Sequence, residues 1–309
     1  MVTNEFLLQD RIQKIQQIIR KYGEENFYVS YSGGKDSTVL SALIDMAIPE
    51  NKIPRVYANT GIEYRLILDF VNKEKEKPHK WELIILTPAI PIKPMLEKEG
   101  YPFKSKEHAA AVASWQGGNK NGLWIIHYLE KEGRYRLPDK LRYQFTDENK
   151  LKISEKCCYR LKEEPLHKYQ KEHHKPYGIL GIMRGEGGRR SKAECLAFER
   201  NKLKNFQPLA PVTKSWEDWF IKEYNVDISD IYKPPYNFER TGCKGCPFNP
   251  TLQKNLDTLQ KFFPNERKQC EFIWKPVYDE YRRIGYRLRP LDEGHQMTLE
   301  ELFQTREDT

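Results

Sequence analysis

Residues 30–38 read Ser-Tyr-Ser-Gly-Gly-Lys-Asp-Ser-Thr (SYSGGKDST), and this stretch lies between two apolar segments. Phe27–Ser30 has the short apolar pattern of a buried strand, and Thr38–Met46 has the apolar spacing of a helix. Glycines between a strand and a helix let the backbone pass close to a ligand, and successive N–H groups there form an anion-binding nest. The N-terminus of the helix adds partial positive charge, and Lys35 adds a full one. The stretch therefore predicts a phosphate-binding loop.

The alternation of strand and helix continues along the chain. Pro54–Asn59 and Trp81–Leu86 have strand patterns, and Arg65–Lys75 has a helical pattern between them. This β-α-β-α-β order implies right-handed crossovers, so we predict an α/β fold with a Rossmann-like parallel sheet and flanking helices. The pattern also predicts a strand at 177–183 and helices at 5–22, 105–132 (broken at Gly117-Gly118), 163–174, 253–262 and 265–284.

The composition of the sequence changes after about residue 226. A stretch rich in proline and glycine, residues 232–250 (YKPPYNFERTGCKGCPFNP), precedes the last two predicted helices. We therefore predict two domains, a nucleotide-binding domain at 1–225 and a small helical C-terminal lobe with cysteines at 226–309.

Composition limits the classes of function. Lysine and arginine number 52 against 44 aspartates and glutamates, and this excess suits an anionic ligand such as a nucleotide or nucleic acid, or an ordinary basic surface. No apolar run approaches the roughly 18 residues that span a bilayer. The first residues, MVTNEFLLQDRIQK, place acid and glutamine within the apolar stretch, unlike a signal peptide. The sequence predicts a cytoplasmic protein without a membrane partner.

The opening stretch resembles a known loop. Ser32–Ser37 (SGGKDS) matches the SGGxDS PP-loop of the ATP pyrophosphatase superfamily, and it is not a Walker A loop because G-x-x-x-x-G-K-[ST] is absent. Members of this superfamily have an adenine nucleotide alpha hydrolase-like fold, and they cleave ATP between the α and β phosphates or bind adenylated sulfate. The resemblance implies ATP and Mg²⁺ as ligands and a catalytic role for Lys35 and Asp36. It also implies nucleotide contacts from Ser30, Tyr31, Ser32, Gly33, Gly34, Ser37 and Thr38.

A second stretch resembles the phosphoadenosine phosphosulfate reductase family of that superfamily. Residues 57–64 (YANTGIEY) are similar to its DTGxExP/Y segment and follow a predicted parallel strand, where ligands bind in open α/β sheets. The resemblance implies nucleotide contacts from Asn59, Thr60 and Gly61. Asn59 replaces the family's usual aspartate, which leaves its hydrogen-bonding role open.

A third stretch carries arginines. Residues 181–190 (GIMRGEGGRR) are similar to the family's G-x-R-x-x-E-S-x-x-R segment, whose arginines face the nucleotide phosphates. The resemblance implies that Gly181 and Arg189 contact the nucleotide and that Arg184 is catalytic, since guanidinium groups clamp phosphate oxygens in pairs. Between Arg184 and Lys204 there are seven basic and three acidic residues, and a solvated basic face is the alternative for Lys202 and Lys204.

The six cysteines predict metal or redox chemistry rather than a secreted disulfide scaffold. Residues 157–165 (CCYRLKEEP) resemble the family's CC-x-x-LK-x-x-P segment, which implies a nucleotide contact from Lys162. A C-x-x-C motif, Cys243 to Cys246, begins 85 positions after Cys158. Paired cysteines followed at long range by C-x-x-C resemble the iron–sulfur branch of the family. The resemblance implies a 4Fe–4S cluster, although thiolates also suit zinc. The ligands would be Cys158, Cys243, Cys246 and either Cys157 or Cys270, while Cys195 would be structural.

One feature of the reductases is missing. They carry a mobile cysteine in a Glu-Cys-Gly-Leu-His type tail, whereas residues 289–309 (RPLDEGHQMTLEELFQTREDT) contain no cysteine. We therefore predict an ATP-using PP-loop transferase that adenylates a substrate, DNA or RNA, for sulfur transfer. Its nearest analogues are the enzymes of DNA phosphorothioation and tRNA thiolation, and a cysteine desulfurase or other sulfur donor is a predicted partner.

Two alternatives remain open at this point. The first is a phosphoadenosine or adenosine phosphosulfate reductase whose nucleophile comes from elsewhere, such as Cys195, which follows the basic stretch RRSKAE. The second is a non-catalytic nucleotide-binding module of a defence or mobile-element system.

Overall fold

The computed structural model describes residues 3–186 and 191–291. The chain divides into two compact units, each built from two segments of sequence. The first unit comprises residues 1–89 and 161–242, and the second comprises residues 90–160 and 243–309. The predicted boundary between residues 225 and 226 is not a point where the chain passes from one unit to the other. The division into two domains by function stays a prediction.

The first unit contains a six-stranded sheet. Its strands are β1 Phe27–Tyr31, β2 Arg55–Ala58, β3 Leu83–Leu86, β4 Tyr177–Ile179, β5 Leu196–Glu199 and β6 Lys202–Phe206. Their order is β3-β2-β1-β4-β6-β5, and all neighbours are parallel except β5 and β6. The predicted α/β fold with a mainly parallel sheet is confirmed. The chain runs outward from β1 to β3 and returns to β4 on the other side of β1, so the carboxyl ends of β1 and β4 form a topological switch point.

The helices, in chain order, are α1 Asn4–Tyr22, α2 Lys35–Ala47, α3 Arg65–Glu76, α4 Ile92–Glu99, α5 Lys106–Gln116, α6 Leu123–Leu129, α7 Glu164–Glu172, α8 Lys214–Glu223, α9 Leu252–Phe262 and α10 Pro264–Arg283. Short 3₁₀ turns lie at 24–26, 133–135, 139–145, 184–186 and 230–232, and a π-helical turn lies at 159–163. Among the described helices, none is long and apolar enough to cross a membrane.

The core of the first unit joins α1, α2 and α8 to the sheet. Ile15, Phe27, Leu40 and Phe206 are fully buried in one cluster, as the apolar spacing of α1 and α2 requires. Trp216 on α8 is buried in the same cluster, with its indole N–H donating to the carbonyl of Asn4 at 3.0 Å. The PP-loop (residues 32–37) therefore connects a strand and a helix that both pack into this core.

The second unit is mainly helical and contains α4, α5, α6, α9 and α10. Phe103 packs edge-on against Tyr281 of α10, with ring centroids 4.5 Å apart. The imidazole of His108, fully buried on α5, is hydrogen-bonded to Tyr128 Oη and Gln144 Oε1, so its place in this core is structural.

Several elements were not predicted from the sequence. The sequence pattern predicts no element in the stretches that form helices α4 and α8 and the β5–β6 hairpin, and β4 ends four residues earlier than the predicted strand. The hairpin turns at Arg200 and Asn201, both with positive φ (49° and 62°). Such a two-residue turn is usually marked by Asn-Gly or Asp-Gly, and here no glycine marks it.

Candidate functional site

The PP-loop leaves β1 and enters α2 through two glycines. Gly33 has a left-handed backbone (φ +65°), and a Cβ placed on it would lie 2.5 Å from Val71 Cγ2. Gly34 is the last residue before the helix and has extended backbone. A residue other than glycine at position 33 would therefore strain both the backbone and the packing.

Hydroxyl groups fix the shape of this loop. Ser37 Oγ accepts from Ser32 N–H at 3.1 Å and donates to the Gly34 carbonyl at 2.9 Å. Ser32 Oγ lies 3.0 Å from Ser37 Oγ and accepts from Gly34 N–H at 3.3 Å. Thr38 Oγ1 also donates to the Gly34 carbonyl at 3.0 Å. The loop is therefore held in shape by its own predicted residues, with the N-terminus of α2 at its end.

A cleft opens where β1 and β2 end, and we call it the β1 cleft. Its cavity volume is about 100 Å³, and its walls include the predicted residues Ser30, Tyr31, Ser32 and Lys162, together with Glu63 and Thr241. The first unit thus brings the start of the PP-loop, one lysine and one carboxylate to the carboxyl edge of a parallel sheet. This is where nucleotides bind in open α/β sheets.

Lys35 does not line the β1 cleft. Its ammonium lies 2.9 Å from Asp218 Oδ1 and 3.3 Å from Glu217 Oε2, both on α8. It borders a second, more open cleft with Lys214 and Asp218. The predicted phosphate-binding charge is therefore paired with Asp218, and it lies beside the buried carboxyl group of Glu217.

Glu217 was not predicted as a site residue. Its side chain is 1% exposed, and burial and the nearby charge of Asp36 raise its pKa to about 8, while Lys35 acts in the opposite direction. Within the sequence its only signal is an acid inside the aromatic run WEDWF. This carboxyl group therefore lies beside Lys35 and Asp36 in the first turn of α2.

The buried Glu217 predicts a pH dependence of stability. Its pKa in the folded chain lies above the ordinary value of 4.5, so its protonation stabilises the fold fully below about pH 4.5. That stabilisation is lost as the pH rises toward 8. We expect Glu217→Gln to flatten the decline of the melting temperature across this window by several degrees relative to wild type, as measured by thermal unfolding at a series of pH values. Glu223→Gln, at an exposed position of the same helix, is the control, and parallel curves for Glu217→Gln and wild type would contradict the prediction.

Two further hydroxyls reach the PP-loop, and sequence reasoning missed both. Tyr232 Oη accepts from Lys35 N–H at 3.3 Å and is hydrogen-bonded to Thr241 Oγ1. Thr241 in turn lines the β1 cleft. The sequence signal is weak because both residues lie in the proline- and glycine-rich stretch, where hydroxyl residues are common in any turn.

The second predicted segment also has an ordered geometry. Asn59 Oδ1 accepts from Gly61 N–H at 3.0 Å, a bond that an aspartate in its place would make equally well. Glu63 Oε1 accepts from Thr60 N–H at 3.2 Å and from Thr60 Oγ1 at 2.6 Å. Asn59 and Thr60 therefore shape the turn after β2, and Glu63 rather than Asn59 lines the β1 cleft.

The third predicted segment is only partly described. Gly181 lies against the start of α2, since a Cβ on it would be 3.0 Å from the Asp36 carbonyl oxygen. Arg184 is exposed, and its Nε donates to the Ala193 carbonyl at 2.5 Å. Arg189 lies outside the described residues. A bulkier residue at 181 would displace the PP-loop, whereas Arg184 does not line the β1 cleft.

Four cysteines gather in the second unit. Cys157 is hydrogen-bonded to Cys158, and this bond, burial and the charges of Cys158, Cys246 and Cys243 all raise its pKa. Residues 157–158 and 243–246 are therefore close in space although 85 positions separate Cys158 from Cys243. No group of three or more His, Cys, Asp or Glu side chains in residues 3–186 and 191–291 is arranged as a metal site. The ligands of a four-iron cluster bind separate irons, so these thiols need not converge on one point.

Helix α10 fixes the C-x-x-C loop through its backbone. Three aromatic residues on one face of α10 donate to carbonyls in and just after the loop: Trp274 Nε1 to Lys244 at 2.9 Å, Tyr278 Oη to Gly245 at 2.5 Å and Tyr281 Oη to Pro247 at 2.9 Å. The spacing of these donors follows the period of the helix. Such hydrogen bonds orient the residues that hold a metal group.

The remaining two cysteines have other surroundings. Cys270 on α10 is fully buried beside Gly245, and burial raises its pKa to about 12 against the opposing charges of Lys244 and Arg267. Cys195 packs against the core of the first unit, with its Sγ 3.6 Å from a guanidinium nitrogen of Arg11.

Comparison with known structures gives matches at low identity and with TM-scores below 0.5. Phosphoadenylyl-sulfate reductase from Candida auris, in a phosphate complex, is 12% identical over 78% of this chain and 91% of that chain, with a TM-score of 0.47. The NH3-dependent NAD synthetase of Campylobacter jejuni is 14% identical over 94% and 100%, with a TM-score of 0.40. The U34-tRNA thiolase NcsA of Methanococcus maripaludis, with its 4Fe-4S cluster, is 12% identical over 94% and 82%, with a TM-score of 0.37. These values are too low to transfer a function. A search of curated proteins found no match.

A family model gives a stronger match. The model described as the phosphoadenosine phosphosulfate reductase domain matches residues 26–120 and 126–249. These ranges include the PP-loop, the β1 cleft residues and the cysteines at 157, 158, 243 and 246. Because they cover more than half of the sequence, this chain belongs to the phosphoadenosine phosphosulfate reductase domain family.

Proposed function

We propose that this protein binds ATP in the β1 cleft and uses it to adenylate a nucleic acid acceptor for sulfur transfer in the cytoplasm. An acceptor oxygen attacks the α-phosphorus of ATP, the bond from that phosphorus to the α–β bridging oxygen breaks, and pyrophosphate leaves. A sulfur nucleophile then displaces AMP, which carries away the acceptor oxygen. The observation that supports this proposal is the PP-loop at the topological switch point, with a cleft and a lysine beside it.

The residues of the first unit have distinct proposed roles. The backbone of the PP-loop and the N-terminus of α2 bind phosphate oxygens, as the anion nest favours. Lys162 supplies positive charge from the cleft wall, and Mg²⁺ would share the charge of the phosphates. Lys35 reaches phosphate only by exchanging Glu217 and Asp218 for phosphate oxygens. Lys35, Asp36 and Arg184 stay proposed catalytic residues.

The four gathered thiols suit an iron–sulfur cluster. Soft thiolates favour iron–sulfur clusters and zinc, and four of them complete the ligand set of a 4Fe–4S cluster. Cys157 is preferred to Cys270 as the fourth ligand because it is hydrogen-bonded to Cys158, whereas the charges that act on Cys270 come from residues other than cysteine. When bound, such a cluster would hold the two cysteine-bearing segments of the second unit together. The sulfur for the transfer would come from a separate donor such as a cysteine desulfurase.

An ATP assay tests the proposal. With Mg²⁺ and a DNA or RNA acceptor, we expect release of AMP and pyrophosphate, and little release without the acceptor. Lys162→Met should lower kcat/KM by roughly 10- to 100-fold, because a hydrogen bond to a charged group contributes about 1.5–3 kcal/mol. Lys168→Met is the matched control, since Lys168 lies on α7 with its side chain 74% exposed. ATP binding without turnover on any acceptor would instead favour a non-catalytic nucleotide-binding module.

A reductase is the second candidate, and membership of the family favours it. That reaction needs a free thiolate in line with the sulfate sulfur. Cys195 is packed against the core of the first unit beside Arg11, which leaves it poorly placed for such an attack. The test is sulfite release from adenosine or phosphoadenosine phosphosulfate. If wild type releases sulfite and Cys195→Ser does not, the reaction is reduction rather than sulfur transfer.

A further inference from the structure

Glu63 carries a buried carboxylate oxygen to which no described residue donates a hydrogen bond. The residue is 8% exposed and lies in the wall of the β1 cleft. Its Oε1 takes both donors of Thr60, the backbone N–H and the hydroxyl. Its Oε2 is buried and has no hydrogen-bond partner within the described chain.

An arrangement of this kind is costly for the protein alone. A buried polar group without a partner carries its full desolvation cost, which is larger when the group is charged. The great majority of buried polar side-chain atoms have a partner, so an exception in a cleft wall indicates a role toward a ligand. Thr60 holds the carboxylate by its other oxygen, which fixes the orientation of Oε2.

The position of Glu63 identifies which half of a nucleotide it meets. The PP-loop follows β1 and would bind the phosphates, whereas Glu63 follows the neighbouring strand β2. In dinucleotide-binding folds an acidic residue beyond the phosphate loop accepts hydrogen bonds from ribose hydroxyls. The nucleoside of a ligand whose phosphates lie at the PP-loop would extend toward β2.

We propose that Glu63 Oε2 accepts a hydrogen bond from the nucleoside half of the ligand, from a ribose hydroxyl or from the exocyclic amine of the base. Glu63 is then a specificity-determining residue of the β1 cleft. This inference rests on the proposed binding of ATP in that cleft.

Titrations with ATP and two analogues test the inference. The analogues are 2′,3′-dideoxy-ATP, which lacks the ribose hydroxyls, and inosine triphosphate, which lacks the amine. We expect wild type to bind one of them roughly 10- to 100-fold more weakly than ATP, as loss of a hydrogen bond to a charged group requires. Glu63→Gln should weaken ATP binding by a similar factor and should no longer discriminate against that analogue. Glu76→Gln, at the exposed end of α3, is the control and should behave as wild type.

The possible results separate this inference from the proposed function. If wild type binds no adenine nucleotide, the proposed function fails and the inference fails with it. If wild type binds ATP and both analogues equally, or if Glu63→Gln discriminates as wild type does, the inference alone is wrong. The comparison of ligands on wild type does not depend on the folding of any variant.

Discussion

Protein purified without oxygen is expected to contain about four iron atoms and four sulfides per chain, and Cys246→Ser is expected to lose nearly all of them. Serine cannot replace a thiolate as a soft ligand, and Cys246 belongs to the four thiols gathered in the second unit. Iron and sulfide analysis and the visible absorbance of the protein measure the loss. Stoichiometric zinc without iron would contradict the prediction of a cluster.

The fourth ligand is decided by a matched pair of variants. Cys157 and Cys270 are both buried cysteines of the second unit, so serine at either position introduces a similar change in an apolar setting. We expect Cys157→Ser to lose iron and Cys270→Ser to retain it. Iron retained in Cys157→Ser and lost in Cys270→Ser would reverse the assignment.

Gly33→Ala is expected to lower the free energy of unfolding by about 2–5 kcal/mol or to displace the PP-loop and abolish ATP binding. A left-handed backbone costs about 1–2 kcal/mol for a residue with a Cβ, and overpacking adds about 1–3 kcal/mol. The clash is direct because the new Cβ would lie 2.5 Å from Val71 Cγ2, and Val71 is itself 1% exposed. Chemical denaturation and ATP titration together measure the two possible effects.

Gly133→Ala separates the two causes in the Gly33 prediction. Gly133 also has positive φ (+58°), but apart from its chain neighbours no atom of the described residues lies within 4 Å of an added Cβ. It should therefore show only the conformational cost of about 1–2 kcal/mol and leave ATP binding unchanged. If Gly33→Ala is no less stable than Gly133→Ala and binds ATP as wild type does, steric contact with Val71 does not constrain the loop.

The parts of the site that sequence predicted are local in sequence. A strand, two glycines and a helix follow one another within residues 27–47, so their physics is set by neighbours along the chain. The cysteine pairs were recognised in the same way, as short motifs. The segment after β2 was also recognised as a short motif, and there the Asn59 amide oxygen accepts a hydrogen bond from Gly61 N–H.

The parts that sequence missed depend on tertiary contacts. Glu217 lies beside the PP-loop residues Lys35 and Asp36 only because α8 packs against α2. Tyr232 Oη accepts a hydrogen bond from Lys35 N–H although 197 positions of sequence separate the two residues. Lys35 was predicted to face phosphate, but two carboxylates of α8 now hold its ammonium. The orphaned oxygen of Glu63 becomes visible only when the partners of every buried atom are known.

The chain leaves the second unit after Arg160 and re-enters it at Cys243, next to the two cysteine pairs. The two cysteine pairs therefore flank the segment 161–242 in sequence, and this segment belongs to the first unit. Any group that binds both Cys158 and Cys243 closes the chain between them into a ring. In the chain-entropy model of cross-links, closing a ring of this size lowers the conformational entropy of the unfolded chain. The loss corresponds to roughly 4–5 kcal/mol of stability. A group bound to these thiols should therefore stabilise the nucleotide-binding segment against unfolding. It would do so through the connectivity of the chain, without any new contact in that segment.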